Sequence, residues 1–157
     1  MRYSSARVRP QFTFDADLEL KDAGLVAADA AATVDSAAKV VDLGTGRVDA
    51  TVVVDVTALE IATGDERYSI LVQGSSSATF ASDIVILACL PIGDGSTIAT
   101  AFGSSGVDVD DTTGRYEIKF TNCRNNINYR YVRLWTDVAG TIATGINYQA
   151  FIGLEQH

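Results

Sequence analysis

Strict alternation of apolar and polar residues is the feature that most constrains this fold. Across residues 48–56 every even position is apolar, and three of the four odd positions are polar. Successive side chains of a β-strand point to opposite faces, so this period of two predicts a strand with one buried face. A second alternating run covers residues 67–73, and Gly64 and Asp65 supply turn chemistry between the two. The two runs therefore predict a hairpin around which the rest of the chain is organised.

Runs of the same kind predict strands along most of the chain. Residues 21–37 are rich in alanine but keep no sustained 3.6-residue spacing, so they predict a loop or an irregular extended edge. Residues 83–90 are apolar on both parities, which predicts a strand buried on both faces, in the middle of a sandwich or under a partner. The remaining predicted strands cover residues 11–20, 38–43, 97–102, 115–121, 129–138 and 146–154.

Eight or nine short strands, with no convincing helix between them, predict an all-β fold. Turns rich in glycine and aspartate, without βαβ spacing, are typical of an antiparallel two-sheet sandwich or a barrel. The several long crossings favour a jelly roll over a meander. The 157 residues are the size of one domain, which we place at residues 11–157 behind a basic arm at residues 1–10. A domain of this size needs no cross-link, so Cys89 and Cys123 are expected to be reduced, packed thiols rather than one disulfide.

The residue types present exclude several classes of function. The one histidine is His157, the last residue, so Ser/His and Cys/His nucleophilic catalysis is not expected. No phosphate-binding glycine motif occurs, and no cofactor is expected. The longest apolar run, residues 84–92, is far shorter than the roughly 20 residues of a membrane-spanning helix. The first twelve residues lack the apolar core of a signal peptide.

Two acidic groups are candidate sites of lower rank. Asp108, Asp110 and Asp111 have the oxygen density of a calcium loop but lack the spacing and closing glutamate of an EF-hand, so a solvated loop is the simpler interpretation and no metal is expected. A second acidic group, which a glycosidase reading would treat as paired carboxylates, alternates along the predicted strand at residues 11–20. It consists of Asp15, Asp17 and Glu19. Such a pattern is more often a wet strand face.

Charge is distributed unevenly along the chain. The net charge is −8, but the arm carries Arg2, Arg7 and Arg9 with no acid, which leaves −11 on the remaining residues. An acidic body repels nucleic acid and anionic membranes, so neither is an expected partner. The arm can dock on an acidic partner surface, or it can be a frayed terminus.

Three aromatic residues form the best candidate for a binding surface. Tyr129, Tyr131 and Trp135 share one parity of one predicted strand, where they can form a sugar-stacking platform, part of the core or an interface patch. On the same strand, Arg130 and Arg133 have long stems that can cover apolar surface while their charges stay in water.

The strands also carry a resemblance to a known family. The stretch VDLGTGRVDATVVVDVTALEIATGDERYSILVQGS at residues 41–75 resembles the cement, or decoration, proteins of tailed bacteriophages, with echoes in GRYEIKFTN (114–122) and YRYVRLW (129–135). The similarity covers about residues 12–154. It rests on hydrophobic alternation and turns rather than on a chemical signature.

The resemblance implies a structural virion component without enzymatic activity. Such a protein would be made in the host cytoplasm and would sit on the outer capsid surface. It would bridge neighbouring copies of the major capsid protein and reinforce the expanded shell. The family also implies a small symmetric oligomer, for which we expect a homodimer. From a different class, the aromatic platform leaves open a carbohydrate-binding jelly-roll module on a virion or cell surface.

Overall fold

A computed structural model describes residues 11–94 and 111–156. This part of the chain consists of β-strands, loops and one 3₁₀ turn at Ala16–Leu18. The strands are β1 (Gln11–Thr13), β2 (Glu19–Lys21), β3 (Leu25–Val26), β4 (Ala30–Ala31), β5 (Thr33–Val34), β6 (Ala37–Ala38), β7 (Val41–Asp42), β8 (Asp49–Leu59), β9 (Arg67–Ser75), β10 (Val85–Gly93), β11 (Gly114–Thr121), β12 (Cys123–Arg124), β13 (Ile127–Asn128), β14 (Tyr131–Ala139) and β15 (Ile146–Gln156). Among these residues no helix is long and apolar enough to cross a membrane.

The long strands form two antiparallel sheets. The first has the order β1-β15-β8-β11, with β2 and β3 also paired to β15, and the second has the order β10-β9-β14-β4, with β7 also paired to β14. We count β1, β2 and β3 as one interrupted edge strand and β4 with β7 as another, and we leave out the two-stranded sheets β5–β6 and β12–β13. The eight strands that result, numbered 1 to 8 in chain order, have the orders 1-8-3-6 and 5-4-7-2 in the two sheets. The prediction of an all-β antiparallel sandwich is confirmed, and this strand order is consistent with a jelly roll.

The core lies between the two sheets and is built from alternate residues of each. Both sheets contribute aliphatic and aromatic side chains that are almost completely buried: Val52, Val54, Val56, Tyr68, Ile70, Val72, Val132, Leu134, Ile146, Tyr148 and Ile152. The apolar parity predicted for residues 48–56, 67–73 and 146–154 is therefore the parity that faces the core.

One hydrogen bond crosses the core from sheet to sheet. The Thr136 hydroxyl of β14 lies 2.6 Å from the Tyr148 hydroxyl of β15, and both residues are buried. Burial raises the pKa of Tyr148 to about 12, so this phenol stays protonated at ordinary pH. The pair thus joins the two sheets without leaving a buried hydroxyl unsatisfied.

Thr136→Val is expected to lower the free energy of unfolding by about 1–2 kcal/mol, because it keeps the shape of the side chain but leaves the Tyr148 hydroxyl without its partner. Urea unfolding measures the change. Thr57→Val is the matched control, since the Thr57 hydroxyl bonds a carbonyl at an exposed position. An equal, small effect of both substitutions would contradict the proposed role of the cross-sheet bond.

The predicted hairpin is wrong in its pairing, although both strands form. β8 belongs to the first sheet and pairs with β11 and β15, whereas β9 belongs to the second sheet and pairs with β10 and β14. The loop between them passes from one sheet to the other. Alternation indicates that each strand has one apolar face, but it does not indicate which strand supplies its hydrogen bonds. The two apolar faces meet across the core instead of side by side.

The continuous strand predicted at residues 11–20 is also wrong in its middle. Asp15 has an extended backbone and its carboxylate accepts a hydrogen bond from the Asp17 amide, which starts the 3₁₀ turn and separates β1 from β2. Local side-chain bonds of this kind compete with a strand ladder. Phe14 is left 55% exposed. Asp15, Asp17 and Glu19 therefore do not share one strand face.

The strand predicted at residues 83–90 forms as β10, but not in the middle of a sheet. Within the described residues β10 pairs only with β9 and is an edge strand. Pro91 fits this position, because proline cannot donate a ladder hydrogen bond and is confined to sheet edges. Ile84 and Ile86 are 44% and 49% exposed. The predicted burial on both faces is therefore not observed, because the outer side of this edge strand is exposed.

The remaining predictions have mixed outcomes. Residues 21–37 do form an irregular edge, made of the short strands β2 to β6. The strand predicted at residues 97–102 lies outside the described residues.

Asn122 ties together the loops at one end of the sandwich. Its buried side chain accepts a hydrogen bond from the Val48 amide at 2.7 Å and donates to the carbonyls of Gly46 and Tyr129 at 3.0 and 3.1 Å. Its own amide donates to the Val48 carbonyl. One side chain thus satisfies three backbone groups from two separate loops.

Acidic side chains tie together the loops at another place, where β8 leads to β9 and β14 leads to β15. The fully buried Glu66 carboxylate accepts bonds from the Thr63 amide and hydroxyl at 2.7 and 2.6 Å, and from the amides of Gly64 and Asp65. Burial raises the pKa of Glu66, but these bonds outweigh it and lower the pKa to about 2. The loop of residues 60–66 is therefore folded around a charged carboxylate.

Two further carboxylates join this loop to its neighbour. Glu60 accepts hydrogen bonds from the amides of Gly145, Thr144 and Ala143, and Asp65 accepts bonds from the Thr141 amide and hydroxyl. These bonds lower the pKa of both acids. We call Glu60, Asp65 and Glu66 together the acid clamp.

Candidate binding surface

The side chains of β9, β10 and β14 that point away from the core form one continuous surface. The strand register aligns Trp135 with Leu71 and Leu71 with Cys89, and it aligns Arg133 with Gln73 and Gln73 with Ile86. Phe80 joins this surface from the loop between β9 and β10. We call the surface the arginine–aromatic face, and it consists of Leu71, Gln73, Phe80, Ile86, Cys89, Tyr131, Arg133 and Trp135.

Arg133 lies at the centre of this face, among aromatic rings. Its guanidinium carbon is 4.3 Å from the Phe80 ring centroid and 5.2 Å from the Trp135 ring centroid. Its Nε donates to the Gln73 Oε1 at 2.9 Å. Cation–π contacts and this hydrogen bond fix the plane of the guanidinium. The side chain is therefore held in one orientation.

The loop at residues 76–83 holds Phe80 beneath the arginine. The Ser75 hydroxyl donates to the Ser82 carbonyl at 2.7 Å, and the Phe80 amide donates to the Ser77 carbonyl. Phe80 has φ +52° and is 6% exposed. Serine hydroxyls that bond nearby backbone groups are typical of such compact turns. The loop thus supports the arginine–aromatic face from within.

Arg133 makes no ion pair among the described residues, and the same holds for Arg67 and Arg124. The ion pairs among the described residues join Arg47 to Asp49, Arg115 to Asp55 and Arg130 to Asp42. Partial burial lowers the pKa of Arg133, and no neighbouring carboxylate acts to raise it. Desolvation of a cation that has no counter-ion beside it carries a free-energy cost.

Of the three aromatic residues grouped by their parity, two lie together on the arginine–aromatic face and one does not. Tyr131 and Trp135 are half-buried on this face rather than in the core. Tyr129 is not on it, because it precedes β14, is 9% exposed, and packs beside Gly74, which belongs to the core-facing parity of β9. Arg133 contacts Phe80 with its guanidinium rather than its stem, and burial lowers its pKa, so the expectation that its charge stays in water is wrong for this residue. Phe80 itself was not singled out, since a single aromatic residue in a serine-rich turn has no periodic signal.

Most of the other predicted site residues fall on parts of the chain that the structure does not describe. Arg2, Arg7, Arg9, Asp108 and Asp110 lie outside the described residues. Asp111 is exposed, and the described residues hold no group of three or more histidine, cysteine or acidic side chains placed to bind a metal.

Both cysteines are free thiols. Cys89 is exposed, so the expectation of a packed thiol is wrong there because β10 is an edge strand. Cys123 is half-buried in β12.

A second groove, of about 380 Å³, lies on the outer face of the first sheet. Phe14 packs edge-on against Phe151 there, with ring centroids 5.4 Å apart. In the same groove, Arg115 donates through two nitrogens to the Asp55 carboxylate at 2.7 and 2.8 Å. Because the Arg115 cation is already paired with Asp55, it is a weaker candidate for binding a charged ligand than Arg133 on the arginine–aromatic face.

Comparison with known proteins adds no relative. No family model matches the chain, and no curated protein matches it.

Proposed function

We propose that the protein is a non-catalytic capsid cement protein of a tailed bacteriophage. It binds the outer surface of the shell, bridges neighbouring copies of the major capsid protein and stabilises the expanded lattice. It is made in the host cytoplasm and acts as a homodimer on the virion. The resemblance at residues 41–75, and a strand order consistent with a jelly roll, support this assignment.

The observation that carries the proposal is the arginine–aromatic face beside the apolar edge strand β10. Aromatic residues and arginine are enriched in protein interfaces, and exposed apolar patches mark interaction sites. Ile86 is 49% exposed at the margin of this face, and Cys89 is exposed next to it. A rigid sandwich with such a face can clamp onto a repeating lattice, where many copies make modest single contacts sufficient.

A carbohydrate-binding module is the second candidate, because Trp135 and Tyr131 lie outside the core. Aromatic rings next to Gln73 and Arg133 offer the stacking and hydrogen bonding that a sugar requires. Binding of purified glycans without any effect on shells would favour this function.

Shell stability separates the two functions. Expanded shells saturated with the protein should disrupt at a higher temperature than bare expanded shells, because a bridging protein binds the intact lattice better than separated subunits. Light scattering during heating measures this. The same disruption temperature with and without saturating protein would contradict the cement function.

A further inference from the structure

We propose that the arginine–aromatic face receives a carboxylate side chain of the partner protein, and that Arg133 is the group that binds it. The partner segment is extended and acidic, with apolar residues on either side of the carboxylate. This inference rests on the proposed function and names the chemistry by which the face attaches.

The hydrogen-bonding groups of Arg133 are only partly used. A guanidinium has five N–H donors, and the Arg133 Nε–H bonds Gln73. The N–H groups of the two terminal nitrogens make none of the hydrogen bonds found among the described residues. Two parallel N–H groups match the two oxygens of a carboxylate. The side chain therefore presents an open site of defined geometry.

The same chain shows how its arginines bind carboxylates when one is present. Arg130 donates to the two Asp42 oxygens at 2.8 and 2.7 Å, and Arg115 donates to the two Asp55 oxygens at 2.7 and 2.8 Å. Among the described residues no acid pairs with Arg133, and its Nε is already bonded to Gln73. The two pairs above use Nε and one terminal nitrogen, so a partner acid would bind Arg133 in a different way, through the two terminal nitrogens.

The surroundings of Arg133 strengthen such a pair. Phe80 lies under the guanidinium, and Trp135 flanks it, so a bound carboxylate is partly shielded from water. A charge pair is stronger at lower effective dielectric, and the arginine has already lost part of its hydration. Pairing with a partner therefore recovers a cost that the free protein carries.

The apolar border of the site indicates the flanking residues of the partner. Leu71, Ile86 and Cys89 lie in adjacent positions of β9 and β10, and Ile84 is 44% exposed nearby. The outward side chains of β10 are exposed, so an extended segment can lie across this border of the face. Residues two positions apart in such a segment point to the same side, so a carboxylate and the apolar residues two positions before and after it can contact the face together.

Trp135 provides a direct test, because it is the only tryptophan of the chain and its ring is 5.2 Å from the guanidinium. The probe is an acetylated, amidated serine peptide with one central glutamate and a valine two positions to each side of it, so that all three side chains share one side of an extended chain. The control peptide has glutamine in place of glutamate. We expect the glutamate peptide to change the Trp135 fluorescence in a saturable manner, with about tenfold tighter binding than the glutamine peptide, or about 1.4 kcal/mol.

Variants then test whether the guanidinium of Arg133 causes the preference for the glutamate peptide. Arg133→Gln should remove the preference for glutamate, and Arg133→Lys should weaken it, because an ammonium is a point charge without the planar fork. Arg47→Gln changes the net charge equally at an exposed position in the loop before β8, and it should leave the preference intact. Circular dichroism checks that each variant is folded.

Three outcomes would overturn the inference. Equal binding of both peptides by the wild-type protein would show that no carboxylate is recognised, and an unchanged preference in folded Arg133→Gln would assign it to another residue. Inorganic phosphate that displaced the glutamate peptide at lower concentration than acetate would indicate a phosphate site instead. Because the peptide assay contains no capsid, its result is independent of shell binding, and either proposal can fail without the other.

Discussion

Asn122→Ala is expected to lower the free energy of unfolding by about 3 kcal/mol, one of the two largest effects that the structure predicts. The substitution leaves the Val48 amide and the Gly46 and Tyr129 carbonyls without their partner. Each unsatisfied buried polar group costs about 1–3 kcal/mol. For a chain of this size, the loss corresponds to a fall of about 6–12 °C in the melting temperature.

Thermal and urea unfolding followed by circular dichroism measure this change. Asn128→Ala is the matched control, because Asn128 is an exposed asparagine of β13 in the same region. We expect the control to change stability by less than about 0.5 kcal/mol, as for most surface substitutions. Similar losses for the two variants would show that Asn122 does not tie the loops together.

Acidification is the second large effect that we expect, because the acid clamp is built from charged carboxylates. The pKa of folded Glu66 is about 2, against an ordinary value of 4.5, and the pKa values of Glu60 and Asp65 are also lowered. A group whose pKa is lower in the folded state stabilises the fold above its unfolded pKa. That stability is lost as the pH falls towards the folded pKa. The protein should therefore lose stability from about pH 5 down to about pH 2.

Urea midpoints measured across this range test the acid clamp, with Glu66→Gln as the variant. Glutamine presents an NH₂ group where the Thr63, Gly64 and Asp65 amides require an acceptor, so the variant should be less stable at neutral pH. Its stability should also depend less on pH, because the group with the strongly lowered pKa is gone. Glu117→Gln, at an exposed position of β11, is the control for removing one acid. A pH dependence in Glu66→Gln as steep as in the wild type would contradict this account.

The positions of the long strands could be predicted from the sequence because alternation is a local signal. β8, β9, β11 and β15 form where the period of two indicates, with the predicted parity in the core. Their pairing could not be predicted, because the partner of a strand is set by contacts between distant residues. The exposure of β10 could not be predicted for a related reason, since an edge strand with an exposed apolar face and a central strand have similar compositions.

The candidate binding surface could be predicted only in part. Tyr131 and Trp135 were found because they share a parity with each other on one strand. Tyr129 was wrongly grouped with them, since it lies before β14 begins, where strand parity no longer applies. The arrangement around Arg133 depends on Phe80 reaching it from another loop and on Gln73 lying opposite it in β9. Hydrophobic periodicity is a local signal, so it cannot predict that β9, β14 and the loop carrying Phe80 come together.

Co-sedimentation with capsid shells tests the cement function most directly. Purified protein is mixed with expanded shells stripped of their decoration and, in parallel, with unexpanded shells. A cement protein should bind saturably to expanded shells only, and the stoichiometry at saturation gives the oligomer at each lattice site. Absence of binding to either kind of shell would contradict the cement function.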